Sequence, residues 1–128
     1  MNRRAFLFAS LAASTALGAA KAAAGVKVIY IGGEDCPPCH RWASAYKAKW
    51  LASPEFRQVT WIEIDSPRFR EAYQARFWPG DLEPILDQIP RKSGAPRFLI
   101  VRDGRIVSNH FGISKWETTL ADLKTLLE

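Results

Sequence analysis

Cys36 and Cys39 are the only cysteines in this 128-residue chain, and they stand three apart as Cys36-Pro37-Pro38-Cys39. The pair follows a short apolar run, Val26 to Ile31, and opens a stretch of helical periodicity. A Cys-x-x-Cys between a strand and a helix is the arrangement of a redox dithiol. The spacing lets the two sulfurs meet across one helical turn. It also puts the first cysteine at the helix N-terminus, where the dipole and the free N–H groups stabilise a thiolate. The thiolate is the attacking species in disulfide exchange, and the second thiol resolves the mixed disulfide. Cys36 is therefore the candidate nucleophile and Cys39 the candidate resolving thiol. Zinc sites use the same spacing, but the second Cys or His pair that completes them is missing. The two soft thiolates, with His40 as a third ligand, would also suit Cu(I), which leaves a copper-handling or metallochaperone reading as the alternative. No Met-rich segment or further His cluster accompanies them.

The elements that position the pair follow from periodicity. Val26-Lys27-Val28-Ile29-Tyr30-Ile31 is a β-branched run that predicts a buried strand, and Gly32 to Asp35 is the turn into the cysteines. From Cys39 onward Trp42, Ala43, Tyr46 and Trp50 recur at three and four, one face of a helix that Ser53-Pro54 ends. Pro37 and Pro38 are tolerated because they fall in the first turn, where N–H groups lack helical partners. Val59 to Asp65 alternates as a strand. Ser66-Pro67 predicts an N-cap and helix start, with Phe69, Tyr73 and Phe77 along one face. Leu82, Ile85, Leu86 and Ile89 predict a short helix. Arg97 to Val101, Asp103-Gly104 and Arg105 to Phe111 form a hairpin signature. Ser114-Lys115-Trp116-Glu117 fits a capping box ahead of a last helix with Trp116, Leu120, Leu123 and Leu127 on one face.

The N-terminus carries a different message. Arg3-Arg4-Ala5-Phe6-Leu7 is a basic start, and a small-residue apolar run follows to about Ala20, then Lys21 and Ala22-Ala23-Ala24. A basic region, a short apolar region and an A-x-A-like end describe an export signal, expected over residues 1–24, with cleavage after Ala22 or Ala24. The run is too short and too rich in Ala and Ser to anchor the chain in a bilayer. Arg-Arg-x-Phe-Leu, weak hydrophobicity and Lys21 suit the twin-arginine route, with ordinary Sec export as the alternative. Either route ends outside the cytoplasm, in a bacterial periplasm. Arg3, Arg4 and Lys21 leave with the signal, so the net charge of +5 overstates the basicity of the processed chain. Its remaining basic residues are scattered, with no stripe suited to nucleic acid. Residues 25–128 have the length of one domain with one core.

The order strand, helix, strand, helix, extra helix, hairpin, helix resembles the thioredoxin superfamily. So do a Cys-x-x-Cys after the first strand and Gly94-Ala95-Pro96-Arg97-Phe98 before an Asp-Gly hairpin. The resemblance covers nearly all of residues 25–128. It implies an α/β fold in the minimal, glutaredoxin-like layout. A central mixed sheet would be flanked by helices, with a short helical insertion before a cis-proline. It also implies that Pro96 is that cis-proline, lying against the dithiol, and that Ala95 offers backbone groups to an extended substrate. The plain alternative for Pro96 is a proline that starts a strand. The activity implied is thiol–disulfide exchange on protein substrates, with no cofactor beyond the Cys36–Cys39 disulfide and no metal. A membrane-bound electron donor would keep the pair reduced, and the protein is expected to be a monomer. Relatives of this type serve cytochrome c maturation, isomerase reduction or sulfur oxidation.

The departures from the family pattern matter. Thioredoxins carry Trp-Cys-Gly-Pro-Cys, whereas here Asp35 precedes Cys36 and Pro37 stands where glycine would. Tyr30 falls where the family has a buried acid that assists proton transfer. Glu63 or Asp65 could substitute through water, although a residue such as Asp65, ending a strand before Ser-Pro, has a simple structural reading. Pro37 and Pro38 offer no N–H to the Cys36 thiolate, and Glu34 and Asp35 disfavour its charge. The expectation is a reductant or isomerase partner, not a strong oxidase. His40 reads as an exposed helix residue and His110 as structural with no visible partner. Trp78, in Trp78-Pro79-Gly80, reads equally as a rim to the dithiol or a cap on the core. A non-catalytic binding module is a third reading, and retention of both cysteines argues against it.

Overall fold

The computed structural model describes residues 25–128, so the export segment expected over residues 1–24 lies outside the described residues. Four strands form one sheet: β1 (Val26–Gly33), β2 (Thr60–Ser66), β3 (Arg97–Arg102) and β4 (Arg105–Phe111), in the order β2-β1-β3-β4. β1 runs parallel to β2 and antiparallel to β3, and β3 is antiparallel to β4. This is the expected mixed sheet. β1 and β3 are central and covered on both faces, which is why they read as unbroken apolar runs.

Strand parity sorts the core into two halves. Val28, Tyr30, Phe98 and Ile100 point to one face and pack with Trp42, Trp50, Trp116 and Leu123. Ile29, Ile31, Ile64, Leu99 and Val101 point to the other and pack with Tyr73, Trp78, Ile85, Leu86 and Ile89. The first face is covered by α1, residues 37–51, and by α3 (Trp116–Leu127). α1 is continuous but not uniform: α-helical Pro37–Trp42 passes through a π-helical stretch, Ala43–Lys47, into Ala48–Leu51. Ser53 stops it by donating its backbone N–H and its hydroxyl to the Trp50 carbonyl at 3.0 and 2.7 Å. Pro54 then disfavours further helix.

The second face is covered by residues 67–94. A helix expected from Ser66-Pro67 does not form. Ser66 is the last residue of β2, and two separate 3₁₀ turns follow, Phe69–Glu71 and Ala75–Phe77. The i, i+4 spacing of Phe69, Tyr73 and Phe77 is not one helix face. Phe69 packs with the first cluster, while Tyr73 and Phe77 pack with the second. The short helix expected around Ile85 is present as α2 (Glu83–Gln88).

The hairpin turns at Asp103 and Gly104, both with positive φ (52° and 82°), as a two-residue Asp-Gly turn requires. The register slips between Ile100 and Val101, where β4 carries a bulge at Val107. The capping box does not form: a 3₁₀ turn, Ile113–Lys115, leads into α3 with no side-chain cap. His110, read from sequence as lacking a partner, has one. Its Nε2 meets Asp122 Oδ2 of α3 at 2.8 Å, and Ser108 donates to the same oxygen at 2.9 Å. These bonds hold the Asp122 carboxyl below its usual range, that of His110 contributing most.

Candidate active site

Cys36 is the N-cap of α1 and Cys39 lies in its first turn, so the local sequence alone brings the sulfurs together. They form a disulfide with a Cα–Cα separation of 5.2 Å. Pro37 and Pro38 occupy the first two helical positions. The backbone donor that reaches Cys36 Sγ is the N–H of Cys39, at 3.2 Å. Because the prolines have no N–H, this bond takes the place of the several that a helix start ordinarily offers. Both cysteines are buried in the oxidised protein: Cys36 is 2% exposed and Cys39 is 1%. Cys36 shares a buried cluster with Cys39, Trp42 and Ala95.

The Ala95–Pro96 peptide bond is cis. Both residues are buried, and the Pro96 carbonyl accepts the N–H of Gly112 at 2.8 Å. Ala95 lies in the same core cluster as the two cysteines, so a segment distant in sequence shares the face of the sheet that the dithiol packs on.

Acidic groups flank the other side of the pair. Asp35 is not free beside Cys36, since its Oδ1 accepts the backbone N–H of Phe69 at 2.7 Å. Behind Cys39 a cleft of about 170 Å³ is lined by Tyr30, His40, Lys47, Glu63 and Asp65. Tyr30 stacks on Trp42 with ring centroids 4.8 Å apart. Burial, reinforced by Asp65 and Glu63, pushes its hydroxyl far above the ordinary phenol range, so Tyr30 is a neutral donor and not a base. Glu63 is held on both oxygens, by Lys47 Nζ at 2.9 Å and by Trp61 Nε1 at 3.0 Å. Asp65 and Glu34 are the other carboxylates of the cleft. Burial raises the Asp65 pKa, Glu34 and Glu63 add to the rise, and Lys47 and His40 oppose it. Asp65 is the next-to-last residue of β2, one short of the strand end that the simple reading gave it, and it also faces the resolving cysteine's cleft. The signal for this was strand parity: Trp61, Glu63 and Asp65 share the α1 face of β2.

Two other sequence candidates are settled by position. Trp78 belongs to the second core cluster, 5% exposed, with Nε1 donating to the Ala72 carbonyl at 2.7 Å. His40 is exposed and lines the cleft. Among the described residues there is no group of three or more His, Cys, Asp or Glu side chains able to hold a metal ion.

One set of residues at the site was not anticipated. Arg97, directly after the cis-proline, is 8% exposed. It donates to Tyr73 Oη at 2.7 Å, to Asn109 Oδ1 at 2.6 Å, and to the carbonyls of Ser93 and Arg91 at 2.8 and 3.3 Å. Sequence offers no sign of it, because the partners are scattered along the chain and two of the four are backbone carbonyls.

The solved structures place this architecture. A thioredoxin of Malassezia sympodialis is 15% identical and superposes with a TM-score of 0.56, over 81% of this chain and 79% of its own. The spinach chloroplast thioredoxin f, short form, is 16% identical with a TM-score of 0.53, over 90% of this chain and 88% of its own. A thioredoxin f2, solved in complex with ferredoxin:thioredoxin reductase, is 20% identical with a TM-score of 0.54, over 92% and 93%. No protein-family description and no curated protein sequence matches the chain. The chain has a thioredoxin-like fold, with a Cys-x-x-Cys disulfide at the start of its first helix.

Proposed function

We propose that this protein is a thiol–disulfide oxidoreductase that reduces protein disulfides in the periplasm. The observation that carries the reading is the Cys36–Cys39 disulfide at a helix N-terminus, clustered with Ala95 next to a cis-proline. In the reduced protein the Cys36 thiolate attacks one sulfur of a substrate disulfide. That S–S bond breaks, a substrate thiolate leaves, and Cys36 holds the other half as a mixed disulfide. Cys39 then loses its proton and attacks Cys36 Sγ. The second substrate thiolate departs, and the two electrons passed to the substrate leave the protein as the Cys36–Cys39 disulfide. Ala95 and Pro96 form the edge on which the substrate backbone docks. Asp65 is the proton acceptor for Cys39, through water in the cleft. A membrane-bound donor of electrons returns the pair to the dithiol, as an oxidising compartment requires. Periplasmic location rests on the export signature of residues 1–24.

The test is trapping. A Cys39→Ser variant should accumulate mixed disulfides with protein substrates, released by dithiothreitol, and a Cys36→Ser variant should accumulate none. Mixed disulfides formed only through Cys39 would reverse the roles. If wild-type protein fails to reduce protein disulfides, the reading falls.

A further inference from the structure

The segment 69–73 of the insertion touches both halves of the site. At one end the Phe69 N–H is held by Asp35, the residue before Cys36. A β-carbon on Gly33 would run into the Phe69 backbone, so glycine there is what lets the segment approach the dithiol turn. At the other end the Tyr73 hydroxyl donates to the Gly94 carbonyl at 2.7 Å and accepts from Arg97 Nε at 2.7 Å. Burial raises the Tyr73 pKa above the phenol range, against the pull of Arg97, so the hydroxyl keeps the proton it donates. Arg97 then gathers the carbonyls of Arg91 and Ser93 into its fork. Those residues are the run into Ala95-Pro96.

Arg97 is nearly buried, and the four groups it binds are all neutral. A buried cation without a carboxylate is costly, and an apolar side chain of similar volume would pack as well. What the guanidinium supplies that such a chain cannot is a planar fork of donors in fixed directions. We infer that Arg97 and Tyr73 are positioning residues, which hold residues 91–95 in register so that Ala95 can receive an extended substrate backbone. Through Phe69 and Asp35 the same segment fixes this edge relative to Cys36. The inference rests on the oxidoreductase reading and adds to it the groups that set substrate docking.

The experiment uses residues 25–128 in Arg97→Lys and Tyr73→Phe forms. Lysine keeps the charge and loses the fork, and phenylalanine keeps the ring and loses one hydroxyl. Two probes are compared: insulin, a protein disulfide that needs the docking edge, and dithiobis(nitrobenzoic acid), a small disulfide that does not. The expected result is a KM for insulin raised about tenfold, the loss of roughly one good hydrogen bond to a charged group. kcat, the rate with the small disulfide, the alkylation rate of Cys36 and the redox potential should be unchanged. An unchanged insulin KM in both folded variants would overturn the inference, as would an equal loss on both probes. If Arg97→Lys does not fold, Tyr73→Phe decides alone. Wild-type protein inactive on insulin would instead sink the oxidoreductase reading, and this inference with it.

Discussion

Pro37 and Pro38 act on Cys36 by withholding the N–H groups that other residues would offer at the helix start. With one N–H at 3.2 Å from Cys36 Sγ, the thiolate of the reduced protein gains less than at a helix start with a full set of donors. A less stable reduced form means a lower reduction potential. Equilibration with glutathione should give a value nearer ~−270 mV than the ~−120 mV of a strong periplasmic oxidase, a gap of about 7 kcal/mol. A value at the oxidase end would mean that His40 or Arg41 reaches over Cys36 and restores its acidity. Asp65 makes a second case. Its pKa is raised, so the native chain binds this proton more tightly than the unfolded chain does. Asp65 therefore removes stability as pH rises through the window between its unfolded and its raised folded pKa. Asp65→Asn should be the more stable protein at pH 7, by less than about 1 kcal/mol because solvent screens the group. It should be indistinguishable at a pH below both pKa values, as urea melts at the two pH values would show. Its turnover with a protein disulfide should fall about tenfold or more, with Cys36 alkylation unchanged. At this scale the dithiol was fully legible, since spacing is a local property. The Tyr73–Arg97 contacts were not, since nothing in a chain read linearly marks which tyrosine will meet a given arginine.

Parity and periodicity made most elements legible. All four strands and the hairpin turn follow from them, and so do α1 and α3. The failures share a cause. Phe69, Tyr73 and Phe77 carry helical spacing but serve opposite faces of the sheet, so the chain must cross between them and cannot be one helix. Ser114 and Glu117 have capping spacing, but Gly112 at φ +99° sends the chain through a 3₁₀ turn first. α1 also separates two jobs along its length. Its first turn holds the disulfide, and Trp50 near its far end, about 16 Å along the axis from Cys39, packs edge-on against Trp116 with centroids 5.5 Å apart. Trp50→Ala should cost about 3–5 kcal/mol of stability, as large core truncations do. It should leave the redox potential of the folded protein unchanged. A shift in potential would show that the aromatic cluster transmits strain along the helix.

At the scale of the whole molecule, residues 25–128 form one sheet with a core on each face. No helix among them is long and apolar enough to cross a membrane. N-terminal sequencing of protein recovered from the periplasm should begin at Ala23 or Gly25, and an intact Met1 on membrane-embedded material would contradict export. Open sheets carry a further burden. β2 and β4 are the outer strands, and an outer strand presents backbone groups on which another chain can add. Here each edge is spoiled differently. β2 carries Glu63 and Asp65, and β4 breaks its regular ladder with the bulge at Val107. Val107 is 52% exposed, and a flat, straight β4 would offer that side chain and its backbone together to a neighbour. If the proposed docking edge beside the disulfide is the place where a partner's backbone adds, these two devices are what would keep the sheet margins from competing with it.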